Sequence, residues 1–589
     1  MGQFLIVQSA SDGAAQATFQ RGLQGFERIA GLKPSACFLA GRLAIATYSK
    51  QLSPGTGLAI EPQSGRRVCE AGLSFYRGRR GHCALEELAR DIGKSAGDGD
   101  LAARLNDLEG IFALASAAAT DSELTVITDR LGSLHVYMAQ LEGVCVVTTS
   151  ALVAAELSGA GWDLEGCREF LATGTVFETR SLFRGVSKLR PACIHRFRDG
   201  CLRSMSRYWT VEAAMFDHAP VRGTVATLAE SLEEAMRTIE RNFRAPLLDL
   251  TGGLDSRALL GAGLRAGSGF QTAVNGNPDC PDVVAAGRIA REFRLAHRNT
   301  IPQQADGDLR YARQTVALTD GEADAFEYAR IMRLHQSFAA EFDVSINGSN
   351  GEICKGYWWE LLFPRTGWRR HLDERLLAAR RFAVGPARDV LDHAFDESLV
   401  DQFAGTIRRA NATLAGARNT AQMDNIYLTL RMQRWQGRIA SSTMRIWPCV
   451  SPFMWRLPME AALSAPIAER VHSRMSRRLI EHFDPRLASL PLAQGYPALP
   501  VRPANLHRFL PMAAEFGGSL IRHASARLGF ERAPAAESGF YPTAHQVLNS
   551  SSVTAPLYRK EVWNTLSAQP EPLLRRMCTL ELVAQALRG

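Results

Sequence analysis

What this chain of 589 residues lacks narrows its chemistry first. No apolar run approaches the roughly eighteen residues that cross a bilayer, which sets aside a helical membrane protein. The eleven cysteines (Cys37, Cys69, Cys83, Cys145, Cys167, Cys193, Cys201, Cys280, Cys354, Cys449 and Cys578) contain no Cys-x-x-Cys and no metal-ligand spacing. Scattered thiols of this kind fit a reducing cytoplasm, the expected location. The amino terminus, Met1-Gly2-Gln3-Phe4-Leu5-Ile6-Val7-Gln8, has no basic region and only four apolar residues in a row. It predicts a strand, not a signal peptide. Gly2 invites myristoylation, but Ile6 stands where that signal needs Ser or Thr. No Gly-x-x-x-x-Gly-Lys-Ser/Thr occurs, so a Walker phosphate loop is excluded. Lysine is absent between Lys355 and Lys560.

What is present is ordinary for a globular chain with two or more domains: 46% hydrophobic and 22% charged residues. The net charge of +8 permits an acidic or nucleic-acid partner without requiring one. Much of the excess is arginine. Arg365, Arg369, Arg370, Arg375, Arg380 and Arg381 crowd a segment whose nearby acids are Asp373 and Glu374, which reads equally as a solvated helix face.

The most specific string follows a short apolar run at Leu247–Leu250. It is Thr251-Gly252-Gly253-Leu254-Asp255-Ser256, with a helix-like run from Arg257 to Leu264 directly behind it. Glycines let backbone N–H groups turn inward, and a helix N-terminus adds partial positive charge. Thr251 and Ser256 supply hydroxyls, and Asp255 can hold magnesium against phosphate oxygens. Strand, turn and helix together predict a pyrophosphate cradle built from Leu250, Thr251, Gly252, Gly253, Leu254, Asp255 and Ser256. The string resembles the Ser-Gly-Gly-x-Asp-Ser loop of ATP pyrophosphatases, which split ATP into AMP and pyrophosphate.

Residues 1–210 alternate short β-like runs (Phe4–Val7, Leu43–Thr47, Leu124–Thr128, Val144–Thr148) with turns, a pattern of layered sheets. Three strings stand out: Asn106-Asp107-Leu108-Glu109-Gly110-Ile111-Phe112-Ala113, Thr128-Asp129-Arg130-Leu131-Gly132-Ser133 and Thr149-Ser150-Ala151-Leu152. In this order they resemble the glutaminase domain of class II amidotransferases, as in asparagine synthetase B. That family uses a cysteine directly after the initiator Met, with its own α-amine as base. Here the position is Gly2 and the first cysteine is Cys37, so the nucleophile is missing. The half is expected to fold as a degenerate glutaminase domain that does not hydrolyse glutamine. Phe170-Leu171, Ser181–Pro191 and Tyr208-Trp209 resemble the join between the two domains of that family, with Asp217–Pro220 as linker and a helix from Val221 to Phe243 beyond it.

Residues 220–589 switch to strand–helix alternation, which predicts a parallel sheet with ligands at the carboxyl ends of its strands. Gln271–Val274 reads as its second strand, ending at Asn275, and Asp282–Leu295 as a helix. In relatives this strand end helps hold adenine; an Asn-Gly turn needs no ligand at all. Asn347-Gly348-Ser349-Asn350-Gly351-Glu352-Ile353-Cys354-Lys355-Gly356-Tyr357 resembles the Gly-Glu-Gly-Ala-Asp-Glu-Leu-Phe-Gly-Gly-Tyr string of asparagine synthetases, shortened by one residue. The resemblance implies a nucleotide role for Gly348 and leaves Glu352 as the one carboxylate to join Asp255 on magnesium. The residue that activates the attacking amine would be Ser349 or Asn350, neither a good base. Arg434–Arg438 and Val450–Met454 resemble the stretch ending in Pro-Phe-Leu-Asp. The family lysine beyond it has Arg474 as its nearest positional match, ahead of Arg477, Arg478 and Leu490–Tyr496; a guanidinium clamps phosphate but does not shuttle protons.

The expected fold is therefore α/β with two domains, a glutaminase-like layered domain followed by an ATP-pyrophosphatase-like one. Among the superfamily's groups the chain resembles lasso-peptide cyclases most, on its missing Cys, altered second loop, arginine- and aromatic-rich Tyr357–Arg381 and a tail past residue 500. That resemblance implies ATP and Mg2+ as cofactors and a precursor or core peptide as substrate. A leader-peptide protease and a recognition protein would be further partners, with neither membrane nor nucleic acid. Its catalytic residues would be Asp255, Glu352 and Arg474, with Asp255 and Glu352 on the metal. An ammonia-dependent asparagine synthetase or a β-lactam-synthetase-like ligase is the alternative. A tRNA-modifying pyrophosphatase would need paired cysteines, and a non-enzymatic scaffold would not keep Thr251, Asp255 and Ser256.

Overall fold

The computed structural model describes residues 2–49, 57–118, 123–216, 218, 221–301, 308–356, 359, 371–382, 390–510 and 539–588. The first half holds the strands β1 (Gly2–Ser9), β2 (Ala36–Ala40), β3 (Leu43–Ser49), β4 (Leu58–Ile60), β5 (Arg67–Tyr76), β6 (Leu108–Ala117), β7 (Glu123–Thr128), β8 (Tyr137–Leu141), β9 (Val144–Thr148), β10 (Val186–Lys188), β11 (Cys193–Arg198) and β12 (Cys201–Arg207). They form two antiparallel six-stranded sheets, in the orders β10-β8-β9-β1-β3-β2 and β12-β11-β7-β6-β5-β4. The run Phe4–Val7 is apolar throughout because β1 is central, between β9 and β3, with a helix on one face and β5 of the second sheet on the other. That helix, Ala14–Ala30, lies so close that a Cβ on Gly22 would come within 2.5 Å of Leu5 Cδ2.

The second half carries β13 (Pro246–Asp249), β14 (Gln271–Asn275), β15 (His297–Thr300), β16 (Val344–Ile346) and β17 (Cys449–Val450). They form one parallel sheet in the order β15-β14-β13-β16-β17. The chain runs outward from β13 to β15, crossing over through helices Leu254–Ala266 and Pro281–Glu292, then returns to lay β16 on the other side of β13. This reversal of direction opens a crevice at the carboxyl ends of β13 and β16. Whatever follows β13 must therefore face whatever follows β16. The molecule has the two-domain α/β layout the sequence predicts. The helix expected from Val221 is present at Val221–Asn242, whereas Asp217, Ala219 and Pro220 of the linker lie outside the described residues.

A buried ionic network joins the halves. Glu322 accepts hydrogen bonds from Lys188 Nζ at 2.9 Å and Tyr137 Oη at 3.0 Å, while Asp320 takes Arg438 at 3.0 Å, Arg445 at 2.6 Å and Ser150 Oγ at 2.8 Å. Burial pushes the Glu322 carboxyl up, but Lys188 and His135 outweigh it and hold it down at about 2. The tail closes on the same junction. Helix Glu571–Arg588 buries Leu573, Leu574, Met577, Leu580 and Val583, Arg576 donates to Leu171 O at 3.0 Å, and Arg28 donates to Ala586 O at 2.6 Å. The tail past residue 500 thus ends in a helix packed into the junction. Within Tyr357–Arg381, residues 357, 358 and 360–370 lie outside the described residues; Trp359 is buried, and residues 371–373 lead into helix Glu374–Arg381.

Candidate active site

The loop after β13 folds as strand, turn and helix. Thr251 and Ser256 face each other across the turn with their hydroxyl oxygens 3.1 Å apart, and Ser256 Oγ also accepts from the Thr251 N–H at 3.1 Å. Gly252 is required by space rather than by φ. A Cβ there would meet Ala493 Cβ at 2.8 Å and Ala285 Cβ at 3.0 Å. Its N–H, expected to turn toward a ligand, donates to Asp282 Oδ1 at 2.9 Å, and the Gly253 N–H donates to Thr251 Oγ1 at 3.2 Å. Leu250 is buried below the turn, and Leu254 opens the helix with Asp255 in its first turn. Arg257, fully buried on that helix, donates to Leu490 O at 2.7 Å and Pro491 O at 2.8 Å, and Ala493 N–H reaches Gly252 O at 3.2 Å. The Leu490–Tyr496 string thus lies against the loop after β13.

The loop after β16 packs directly on this helix start. A Cβ on Gly348 would lie 3.0 Å from Asp255 Cβ and 3.1 Å from the Ser256 N, and one on Gly351 would lie 2.7 Å from both Cβ and Cγ of Asp255. Asn350 adopts the left-handed conformation (φ 70°), which asparagine tolerates better than most residues, and its Nδ2 donates to Phe453 O at 2.8 Å. The turn Gly351–Cys354 is held by Arg470, whose Nε donates to Ile353 O at 3.0 Å while its other nitrogens make a two-pronged pair with Asp424 at 2.7 and 2.8 Å. Immediately after this turn comes Lys355. Its Nζ lies 2.7 Å from Asp255 Oδ2, joining residues 100 apart in sequence. The Asp255 and Glu352 carboxylates keep the Lys355 ammonium charged, overcoming the opposing effect of burial.

Glu352 accepts from Tyr427 Oη at 2.9 Å and lies 3.7 Å from Arg431 Nε, and Gln436 Nε2 donates to Ser349 Oγ at 2.9 Å. These partners come from a π-helix, Tyr427–Gln436. Its first and last residues would fall on opposite sides of an α-helix at about 3.6 residues per turn. The wider π turn, common at functional sites, brings both round to the second loop. Ser349 and Asn350 are engaged by Gln436 and Phe453, so neither is presented as a base.

Register places further polar groups on one face at the strand ends. Asp249 pairs with Ala273, Leu248 with Ile346 and Asn275 with Thr300, which sets Asp249 beside Asn347, and Asn275 beside Thr300 two residues further along the same face. Asn275 and Thr300 line a cavity of about 320 Å³ together with Arg330 and Arg333, and among the described residues Asn275 Oδ1 and Thr300 Oγ1 are buried without a hydrogen-bond partner. Burial raises the Asp249 carboxyl to about 7, and it makes no hydrogen bond or ion pair among the described residues.

The structure therefore gathers Thr251 to Ser256, Gly348 and Glu352 at one crevice and puts Asn275 on the neighbouring cavity. Among the described residues no contact brings Arg474 in: it is exposed, and its Nη1 donates to Ala468 O at 3.2 Å. The cation on the loop is Lys355. Reading the sequence for a lysine downstream overlooked the one inside the second string. Asp249, Arg257, Tyr427, Arg431 and Arg470 were also missed; only folding shows their partners.

In the first half, Gly2 opens β1 with Glu70 O and Tyr48 O each 3.3 Å from where a Cβ would be. The cavity beside it, walled by Gln3, Ser49, Met444 and Arg445, is about 30 Å³, enough for one water and not for a glutamine side chain. Cys37, the nearest thiol in sequence, is exposed on β2.

The fold and these loops define a two-domain α/β protein. Residues 97–209 match the family model described as a glutamine amidotransferase domain. Among solved structures the chain is similar to the glutamine phosphoribosylpyrophosphate (PRPP) amidotransferase from B. subtilis complexed with ADP and GMP. The identity is 12%, over 51% of this chain and 65% of that one, with a TM-score of 0.25. A second similar structure is the allosteric regulatory enzyme of purine biosynthesis, at 11% identity over 51% of this chain and 80% of that one, TM-score 0.25. No curated protein matches.

Proposed function

We propose that this protein is an ATP-dependent, AMP-forming amide ligase that closes a macrolactam ring in a peptide, as its resemblance to lasso-peptide cyclases suggests. The observation that carries the ligase reading is the meeting of two loops at the β13/β16 crevice, where Lys355 pairs with Asp255 and feels the charge of Glu352. In this reading a side-chain carboxylate of the peptide attacks the α-phosphorus of ATP, giving an acyl-adenylate and pyrophosphate. The peptide's α-amine then displaces AMP and forms the amide. Thr251, Ser256 and the helix start receive the pyrophosphate, and Asn275 and Thr300 offer unpaired polar atoms to the base. Holding both ends of one peptide makes ring closure effectively unimolecular, worth up to roughly 7–11 kcal/mol.

Among the described residues no cluster of three or more His, Cys, Asp or Glu could hold a metal by itself. Magnesium fits instead as the partner of bound phosphates, with Asp255 and Glu352 supplying carboxylate oxygen. When bound it would neutralise the departing pyrophosphate. Gly2 and the 30 Å³ cavity beside it favour an amine delivered by the substrate over ammonia drawn from glutamine.

The test is to incubate the protein with ATP, Mg2+ and its candidate core peptide. Expected are AMP and pyrophosphate, not ADP, a product one water lighter than the linear peptide, no glutamate release from glutamine, and loss of all turnover in Asp255→Ala. Acetylating the peptide's α-amine should block the ring and spare adenylation. Asparagine formed from aspartate and ammonia, unaffected by any peptide, would replace this reading with an ammonia-dependent asparagine synthetase.

A further inference from the structure

The cation at the phosphate loop carries an inference that rests on the ligase reading and deepens it. A lysine ammonium has three donors, and among the described residues Lys355 uses one, on Asp255. Its side chain is 20% exposed, so the ammonium sits at the crevice rather than sealed in the core. The backbone that carries it is fixed on two sides, by the Arg470–Ile353 hydrogen bond and by the contact of Gly351 with Asp255. The four-carbon stem is the part left free to swing. Its other acidic neighbour, Glu352, is already engaged by Tyr427 and Arg431. Asp255 is therefore the one partner Lys355 would have to give up. A polyanion entering this loop meets Asp255 at the helix start, and that carboxylate repels it unless a cation covers it.

We propose that Lys355 is a phosphate-binding residue that exchanges partners. It covers Asp255 in the free protein and turns to the pyrophosphate oxygens when nucleotide binds, leaving the carboxylate to magnesium. Lys355 then supplies phosphate affinity that needs no metal, and Asp255 competes with phosphate for the same ammonium.

Calorimetric titration with inorganic pyrophosphate in EDTA, and with ATP in Mg2+, tests this on the full chain. Wild type should bind pyrophosphate in EDTA. Lys355→Gln should bind it at least about tenfold more weakly there, the scale of a lost charge-assisted hydrogen bond, and the gap should narrow with ATP and Mg2+. Asp255→Asn should act in the opposite direction, tightening pyrophosphate in EDTA because Lys355 is released, while weakening ATP in Mg2+. If Lys355→Gln does not fold, Lys355→Met takes its place with the same expected loss. Pyrophosphate binding in EDTA that is unchanged in Lys355→Gln, or weakened in Asp255→Asn, would overturn the exchange while leaving the ligase reading intact. A wild-type protein that binds neither pyrophosphate nor ATP under either condition would instead remove the nucleotide reading itself.

Discussion

At Gly351 a hydrogen atom stands where any other residue would place a carbon 2.7 Å from Asp255 Cβ and Cγ. The contact sets how far the loop after β16 approaches the loop after β13, and so where Lys355 and Glu352 stand. Gly351→Ala is expected to force Asp255 or the loop aside. A displacement near 1 Å at a reacting site can cost about 100-fold in rate, so AMP formation should fall by at least about tenfold. Far-UV circular dichroism should stay that of wild type, since Gly351 lies in a short turn outside the sheets and long helices. Unchanged turnover would show that the loops do not work in contact.

The strand β13 ends on a residue that its element does not explain. Asp249 sits in a parallel sheet, half-buried beside Asn347 and Ala273, and its carboxyl is raised to about 7 by burial alone. A carboxyl raised above its unfolded value is protonated more readily in the native state, so ionising it lowers stability as pH rises toward 7. Asp249→Asn should therefore be more stable than wild type at pH 8. That advantage should fade as pH falls below 7 and vanish near pH 4, where both side chains are neutral. Urea midpoints across this range check it; an advantage that does not change with pH would place Asp249 in contact with water or a cation. The π-helix is the other element whose form matters, because its wide turn is what lets Tyr427 and Gln436 grip the same loop.

Across the whole molecule the two halves are held by charge as well as by apolar packing. Glu322 is depressed to about 2, chiefly by Lys188 and against the effect of burial, so its contribution is complete above pH 4.5 and is lost as pH falls toward 2. Glu322→Gln should lose about 3 kcal/mol at neutral pH by leaving Lys188 buried without its counter-charge. The difference from wild type should shrink between pH 4.5 and 2, followed by denaturant unfolding. A difference that is constant over that window would mean the network is held by shape and not by charge.

The sequence by itself determined the parts whose physics is local. Thr251–Ser256 between an apolar run and a helix needs no distant partner to be a turn with hydroxyls at its rim. The runs at Phe4–Val7, Leu43–Thr47, Leu124–Thr128 and Val144–Thr148 are strands because central strands covered on both faces are apolar throughout. The absence of a thiol at Gly2 needed no structure either. Tertiary structure decided which charges meet. Arg474 and Lys355 are both cations near a family string. The crossing from β15 back to β16 brings Lys355 to Asp255, while Arg474 begins a helix whose start faces solvent. The same holds for Tyr427 on Glu352, Arg470 on Asp424, and the last helix, which reads as an appendix in sequence and is buried between the halves in the fold. Polar contacts between residues 46, 75 or 100 positions apart have no sequence period. Their partners are fixed by strand order, and strand order is settled only when the sheet assembles.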